Sequence, residues 1–121
     1  MTTNVIRMTA SCPVIPVTDI TEAVAFYRDR LGFTVAFLQG DYAGVLRDDA
    51  PLHLDGIVNA AAGKVTSRIH TEGVDELYAT LEPLGVIDPA EPISTTPWGA
   101  RQFSVLDCCG NRITFVKYAS S

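Results

Sequence analysis

The sequence predicts an α+β fold built from two tandem βαβββ modules, and three observations predict it. The same order of short apolar and amphipathic segments is legible twice along the chain. The triplet Leu31-Gly32-Phe33 returns as Leu84-Gly85-Val86, 53 residues further on. A small-residue stretch, Ile57 to Lys64, separates the two copies. Repetition of this kind signals paired equivalent units, each covering its neighbour's apolar face. Module one then occupies about residues 10–56, the linker 57–64 and module two about 65–118, within one 121-residue domain.

Each element has its own reason. Val14-Ile15-Pro16-Val17 is a short apolar strand. Asp19 or Thr18 follows as the N-cap, with Glu22 placed to complete a capping box on Asp19. Ile20, Ala23, Val24, Tyr27 and Leu31 then recur at helical spacing and give one buried stripe. Gly32 ends this helix as a left-handed cap. Phe33 to Leu38, Tyr42 to Arg47 and Leu52 to Leu54 read as strands, separated by the Gln39-Gly40-Asp41 and Asp48-Asp49-Ala50-Pro51 turns. The second copy opens with a strand from Val65 to His70. Val74, Leu77, Tyr78 and Leu81 mark its helix, and Ala90 to Thr95, Arg101 to Leu106 and Arg112 to Tyr118 its remaining strands.

Composition bounds the function. Nine Lys and Arg against fourteen Asp and Glu give a net charge of −5, which argues against a general affinity for nucleic acid. The acids cluster in two runs, Asp41 to Asp55 and Glu72 to Glu91; such runs serve as a solvated surface or as a field that draws in a small cation. No apolar run reaches the roughly 20 residues of a membrane span, and the polar Met1-Thr2-Thr3-Asn4 is no signal peptide, so cytoplasmic residence is expected. Cys12, Cys108 and Cys109 form no disulfide framework and no zinc spacing, and three reduced thiols are expected. The chain lacks a phosphate-binding glycine loop, a nucleophile elbow and an HExxH motif. Its only tryptophan, Trp98, stands between Pro97 and Gly99, where a rim loop offers a ring to a ligand.

Several motifs carry a resemblance. Asp19-Ile20-x-x-Ala23-x-x-Phe26-Tyr27-x-x-x-Leu31-Gly32-Phe33 and Asp107-x-x-Gly110-Asn111, set on paired βαβββ modules, resemble the vicinal oxygen chelate superfamily of glyoxalases, dioxygenases and antibiotic-resistance proteins. Gly40 to Asp49, Gly73 to Ala79 and Pro97-Trp98-Gly99 look most like its bleomycin-resistance branch. The resemblance covers nearly all of residues 12–117.

For the enzymes of the superfamily, the resemblance implies a metal held by His, Gln or Glu at places that fall here on Cys12, Thr66 and Thr114. Hydroxyls are poor ligands for a divalent ion that takes carboxylate or imidazole, so no metal, cofactor or catalytic residue is expected. His53 and His70 lie on strands away from those places and read as packing residues. For the resistance branch, the resemblance implies a homodimer whose first strand, Val5 to Cys12, is exchanged between subunits about a hinge near Pro13. It also implies that Tyr42 and Trp98, one from each subunit, sandwich the planar part of a cationic drug. Beside them the acidic Asp41 and Asp55, the latter at a place where the best-known members carry a small hydroxyl residue, are expected to draw its charged tail. The expected function is therefore non-catalytic sequestration of a bleomycin-type antibiotic. A metal-dependent glyoxalase-type lyase or dioxygenase with atypical ligands, and a binding module for another small aromatic metabolite, are the alternatives.

Overall fold

The computed structural model describes residues 5–57 and 64–119. Module one runs β1 (Val14–Pro16), α1 (Ile20–Asp29), β2 (Thr34–Gln39), β3 (Tyr42–Arg47) and β4 (Ala50–Asp55). Module two runs β5 (Thr66–His70), α2 (Val74–Leu81), a 3₁₀ turn at Glu82–Leu84, β6 (Ser94–Thr95), β7 (Arg101–Leu106) and β8 (Arg112–Lys117). The sheets have orders β1-β4-β3-β2 and β5-β8-β7-β6, so each returns its first strand beside its last. That first pair is parallel in both modules, and the other pairs are antiparallel.

Local chemistry sets the elements much as expected. The Asp19 carboxylate accepts the Glu22 N–H at 3.1 Å and starts α1, whose Ile20, Ala23, Val24 and Tyr27 are buried. Gly32 and Gly85 take φ of 76° and 72°, so the repeated triplet marks two left-handed turns that a Cβ would strain. Alternation along the strands turns Ile15, Ala43, Val45, Leu52 and Leu54 into the core, which they share with Phe103, Val105, Ile113 and Phe115 of module two.

One buried latch joins the modules. The Asp107 carboxylate, in the turn between β7 and β8, accepts from the Tyr27 hydroxyl on α1 at 2.7 Å and from the backbone N–H groups of Cys109 and Asn111. The Asn111 amide in turn donates to the Pro16 carbonyl at 2.8 Å. Burial first, then the adjoining carboxylate, pushes the Tyr27 phenol well above its ordinary range.

The structure corrects three boundaries. Ala50 and Pro51 belong to β4 rather than to the preceding turn, because Arg47 pairs directly with Ala50 and the reversal is made by Asp48 and Asp49, with Asp48 at φ 51°. The helix stops at Asp29, and Leu31 is buried in the turn beyond it. The strand expected over Ala90–Thr95 is reduced to Ser94–Thr95. Pro89 and Pro92 break it, and the edge of β7 is instead met by irregular bonds from Val86, Asp88 and Glu91 to Ser104 and Leu106. Val5 to Cys12 forms no strand within a single chain, and its Val5, Ile6 and Met8 are exposed. Most of the expected linker, residues 58–63, lies outside the described residues.

Candidate functional site

Each sheet turns one face to its helix and the other outward, and the outward faces differ in chemistry. On module one, Tyr42, Gly44, His53 and Asp55 share a face through the pairs Tyr42↔Asp55 and Gly44↔His53. A bulge in β2 between Val35 and Phe37 then sets Phe37, rather than Ala36, opposite Gly44. The absent side chain at Gly44 makes room for that ring: a Cβ there would clash with the Phe37 ring. Phe37 and Tyr42 are nearly parallel, 14° between planes and 6.2 Å between centroids. His53 meets both edge-on at 5.3 Å and bonds the Tyr42 hydroxyl through Nδ1 at 2.8 Å. The result is a fixed aromatic surface at the outer side of the sheet, with Phe37 40% exposed.

Module two presents hydroxyls and charges. Thr114 and Ser104 are directly paired across β8 and β7, and their buried hydroxyls lie 2.8 Å apart. The Ser104 hydroxyl also donates to the Glu91 carboxylate. Arg112 closes the chain, 3.1 Å from Asp88 and 3.7 Å from Glu91. On the same face Arg68 reaches Gln102 and the Tyr118 hydroxyl, and Tyr118 packs on His70 at 5.2 Å.

The four site residues expected from sequence fall on both modules. Tyr42 stands in the aromatic face, and Asp55 is its direct cross-strand neighbour, its carboxylate accepting the Ile57 N–H at 2.8 Å. Asp41 is exposed in the turn before β3. Trp98 is 71% exposed in the tight turn between β6 and β7, where the Thr96 hydroxyl accepts the Ala100 N–H and Gly99 takes φ 91°. Within one chain Trp98 and Tyr42 do not meet. Phe37 is the member that sequence reasoning missed; its signal was Gly44 in mid-strand, a residue type that marks close approach of another group. His53 packs as expected, and His70, although exposed on β5, packs against Tyr118.

The two acidic runs converge elsewhere. Asp48 and Asp49 of the β3–β4 turn, Glu72 before α2 and Glu76 in its first turn line a cavity of about 680 Å³ that Phe33 and Phe115 also line. Neither Tyr42 nor Trp98 lines it.

The positions that hold metal in the enzymes of this fold do not fit one here. Cys12 lies before β1 and its sulfur contacts the Pro13 carbonyl; burial raises the pKa of its thiol. Thr66 is exposed on the edge strand β5, and the Thr114 hydroxyl is committed to Ser104. Among the described residues no three His, Cys, Asp or Glu side chains gather as a ligand set. No helix among them is long and apolar enough to cross a membrane.

Comparison with known proteins decides the family. The family model described as the glyoxalase/bleomycin resistance protein/dioxygenase superfamily matches residues 9–115. The chain belongs to that superfamily. Bleomycin resistance proteins of Geobacillus stearothermophilus and Staphylococcus aureus are each 31% identical to it over 132 aligned positions, covering 94% of this chain and all of theirs. Among solved structures, the bleomycin-binding protein of Streptomyces verticillus complexed with copper(II)-bleomycin is 27% identical. It superposes with a TM-score of 0.81 over 96% of this chain and all of that one. A lactoylglutathione lyase from Agrobacterium tumefaciens shares the fold at 19% identity, with a TM-score of 0.74 over 91% of this chain and 94% of its own.

Proposed function

We propose that this protein binds and sequesters a planar, cationic antibiotic of the bleomycin type without altering it, in a groove that two copies of the chain form together. The observation that carries this reading is the pair of near-parallel rings, the exposed Phe37 and the half-buried Tyr42, held in place by Gly44 and His53. Such a surface suits stacking on linked heteroaromatic rings, where each good aromatic contact adds on the order of 1 kcal/mol beyond area burial. The kinship with bleomycin resistance proteins over nearly the whole chain supports the same ligand class. Trp98 is the opposing jaw, supplied by the second copy, because within one chain it does not reach Tyr42. Asp41 and Asp55 flank Tyr42 and attract the cationic part of the ligand. The exposed Val5, Ile6 and Met8 ahead of Pro13 are the arm exchanged between copies, burying apolar surface that a single chain leaves in water. The protein acts in the cytoplasm, where the drug is intercepted before it reaches its target.

Titration with bleomycin, followed by the fluorescence of the single tryptophan, tests this reading. Saturable quenching is expected at one ligand per chain, and Trp98→Ala is expected to weaken binding measured by calorimetry by roughly tenfold or more. Absence of quenching in a folded protein would leave the binding of another aromatic metabolite as the better account. Full affinity in the Trp98→Ala variant would refute the clamp.

A further inference from the structure

Cys108 and Cys109 take no part in the ligand-binding faces. They occupy the two central positions of the turn between β7 and β8, with their sulfurs 3.9 Å apart. Both thiols are free and half-buried, and both pack against the hydrophobic core. Their backbone is fixed by the buried Asp107, which accepts the Cys109 and Asn111 N–H groups at 2.8 and 2.9 Å. The Cys109 sulfur faces module one, where it accepts the Thr18 N–H at 3.4 Å and lies 3.5 Å from the Thr18 hydroxyl.

This placement disfavours a direct disulfide. Adjacent Cα atoms stand about 3.8 Å apart across a trans peptide, closer than the roughly 4.4–6.8 Å that disulfides span. The sulfurs would also have to close to about 2.05 Å while the turn stays clamped. A single soft atom placed between them asks for less movement, since bonds near 2.3 Å at the narrow angle of a pyramidal trivalent centre put two sulfurs roughly 3.4 Å apart. The partner set narrows the choice of atom. Among the described residues no third Cys, His, Asp or Glu joins the pair, so a four-coordinate zinc shell is not available. A centre that brings its own third bond, to carbon, needs only two sulfurs, and the apolar surroundings of the pair suit an organic substituent.

We propose that Cys108 and Cys109 form a dithiol site for a thiophilic trivalent organoarsenical, on the turn that latches module two to module one. In the binding step two S–H bonds and the As=O bond break, and two As–S bonds form. The two thiol protons leave with the oxygen as water, arsenic remains trivalent, and nothing is oxidised or reduced. Burial, and then the neighbouring Cys109 and Asp107, push the Cys108 thiol up to about 12, which holds that thiol protonated at neutral pH and slows its air oxidation.

Whole-protein mass spectrometry after treatment with phenylarsine oxide tests the proposal. One phenylarsenic group, stable to dilution and to a monothiol but removed by a small dithiol, is expected on the native chain and on Cys12→Ser. Cys108→Ser and Cys109→Ser, each checked for folding by circular dichroism, are both expected to lose it; either folded variant suffices. Persistence of the adduct in a folded serine variant would overturn the site, as would its loss in Cys12→Ser. A native chain that takes up no arsenic while its thiols titrate as free would overturn it too, as would a purified chain already two hydrogens lighter than its sequence.

Discussion

The two modules share one blueprint, yet they solve opposite problems on their outward faces. Both start a helix after a short strand, stop it before a left-handed glycine, and return the first strand beside the last. Module one leaves its outer face open and apolar, with Phe37 laid over Gly44 and braced by Tyr42 and His53. Module two closes the corresponding place with hydrogen bonds running from Thr114 through Ser104 and Glu91 to Arg112 and Asp88. The difference teaches where function sits in a repeated fold. The inward faces obey the common constraint of the core, whereas the outward faces are free to diverge into a stacking surface and a polar one.

The comparison can be broken at three places, in falling order of effect. The largest is Asp107→Ala, which leaves the Tyr27 hydroxyl and two backbone N–H groups of the latch without their acceptor. A loss of about 3 kcal/mol is expected, a fall in Tm of roughly 10 °C in calorimetry. A single cooperative transition at lower temperature would show that the modules still melt as one unit.

Gly44→Ala tests module one alone. The new methyl displaces the Phe37 ring, at a cost of about 1–3 kcal/mol in stability. Loss of one stacking partner is expected to weaken ligand binding roughly fivefold, seen by titration calorimetry.

The smallest effect is alkaline. Cys108 and Tyr27 both titrate above their ordinary values in the fold, so the folded state holds their protons longer than the unfolded chain does. The Cys108 contribution is whole below about pH 9 and is lost as pH rises towards about 12, whereas that of Tyr27 begins to be lost only above the ordinary phenol range. Thermal melts over that range are expected to fall less steeply for Cys108→Ser than for the native chain.

Most of the fold was legible because it rests on local signals. The capping Asp19, the helical stripe of α1, the repeated Leu-Gly triplet and the exact span of β3 and β7 follow from periodicity and turn chemistry. What escaped depends on pairing between distant residues. The bulge that aims Phe37 is a matter of register against β3, and the loop from Val86 to Glu91 takes its shape from β7. Tyr42 and Trp98 were legible as site residues only through resemblance, since nothing local distinguishes a stacking ring from a packing one. The Asp107–Tyr27 bond joins residues 80 positions apart, beyond any local pattern.

The central claim is that one module of each copy contributes to a shared groove, and complementation tests it most directly. Tyr42→Ala and Trp98→Ala chains, each impaired alone, are mixed, exchanged and titrated with bleomycin by calorimetry. The account predicts that the mixed dimer regains one native-affinity site, because one of its two grooves joins an intact Tyr42 to an intact Trp98 of the other chain. A mixture that binds no better than either variant alone, under conditions where subunit exchange is verified by mass, would contradict it.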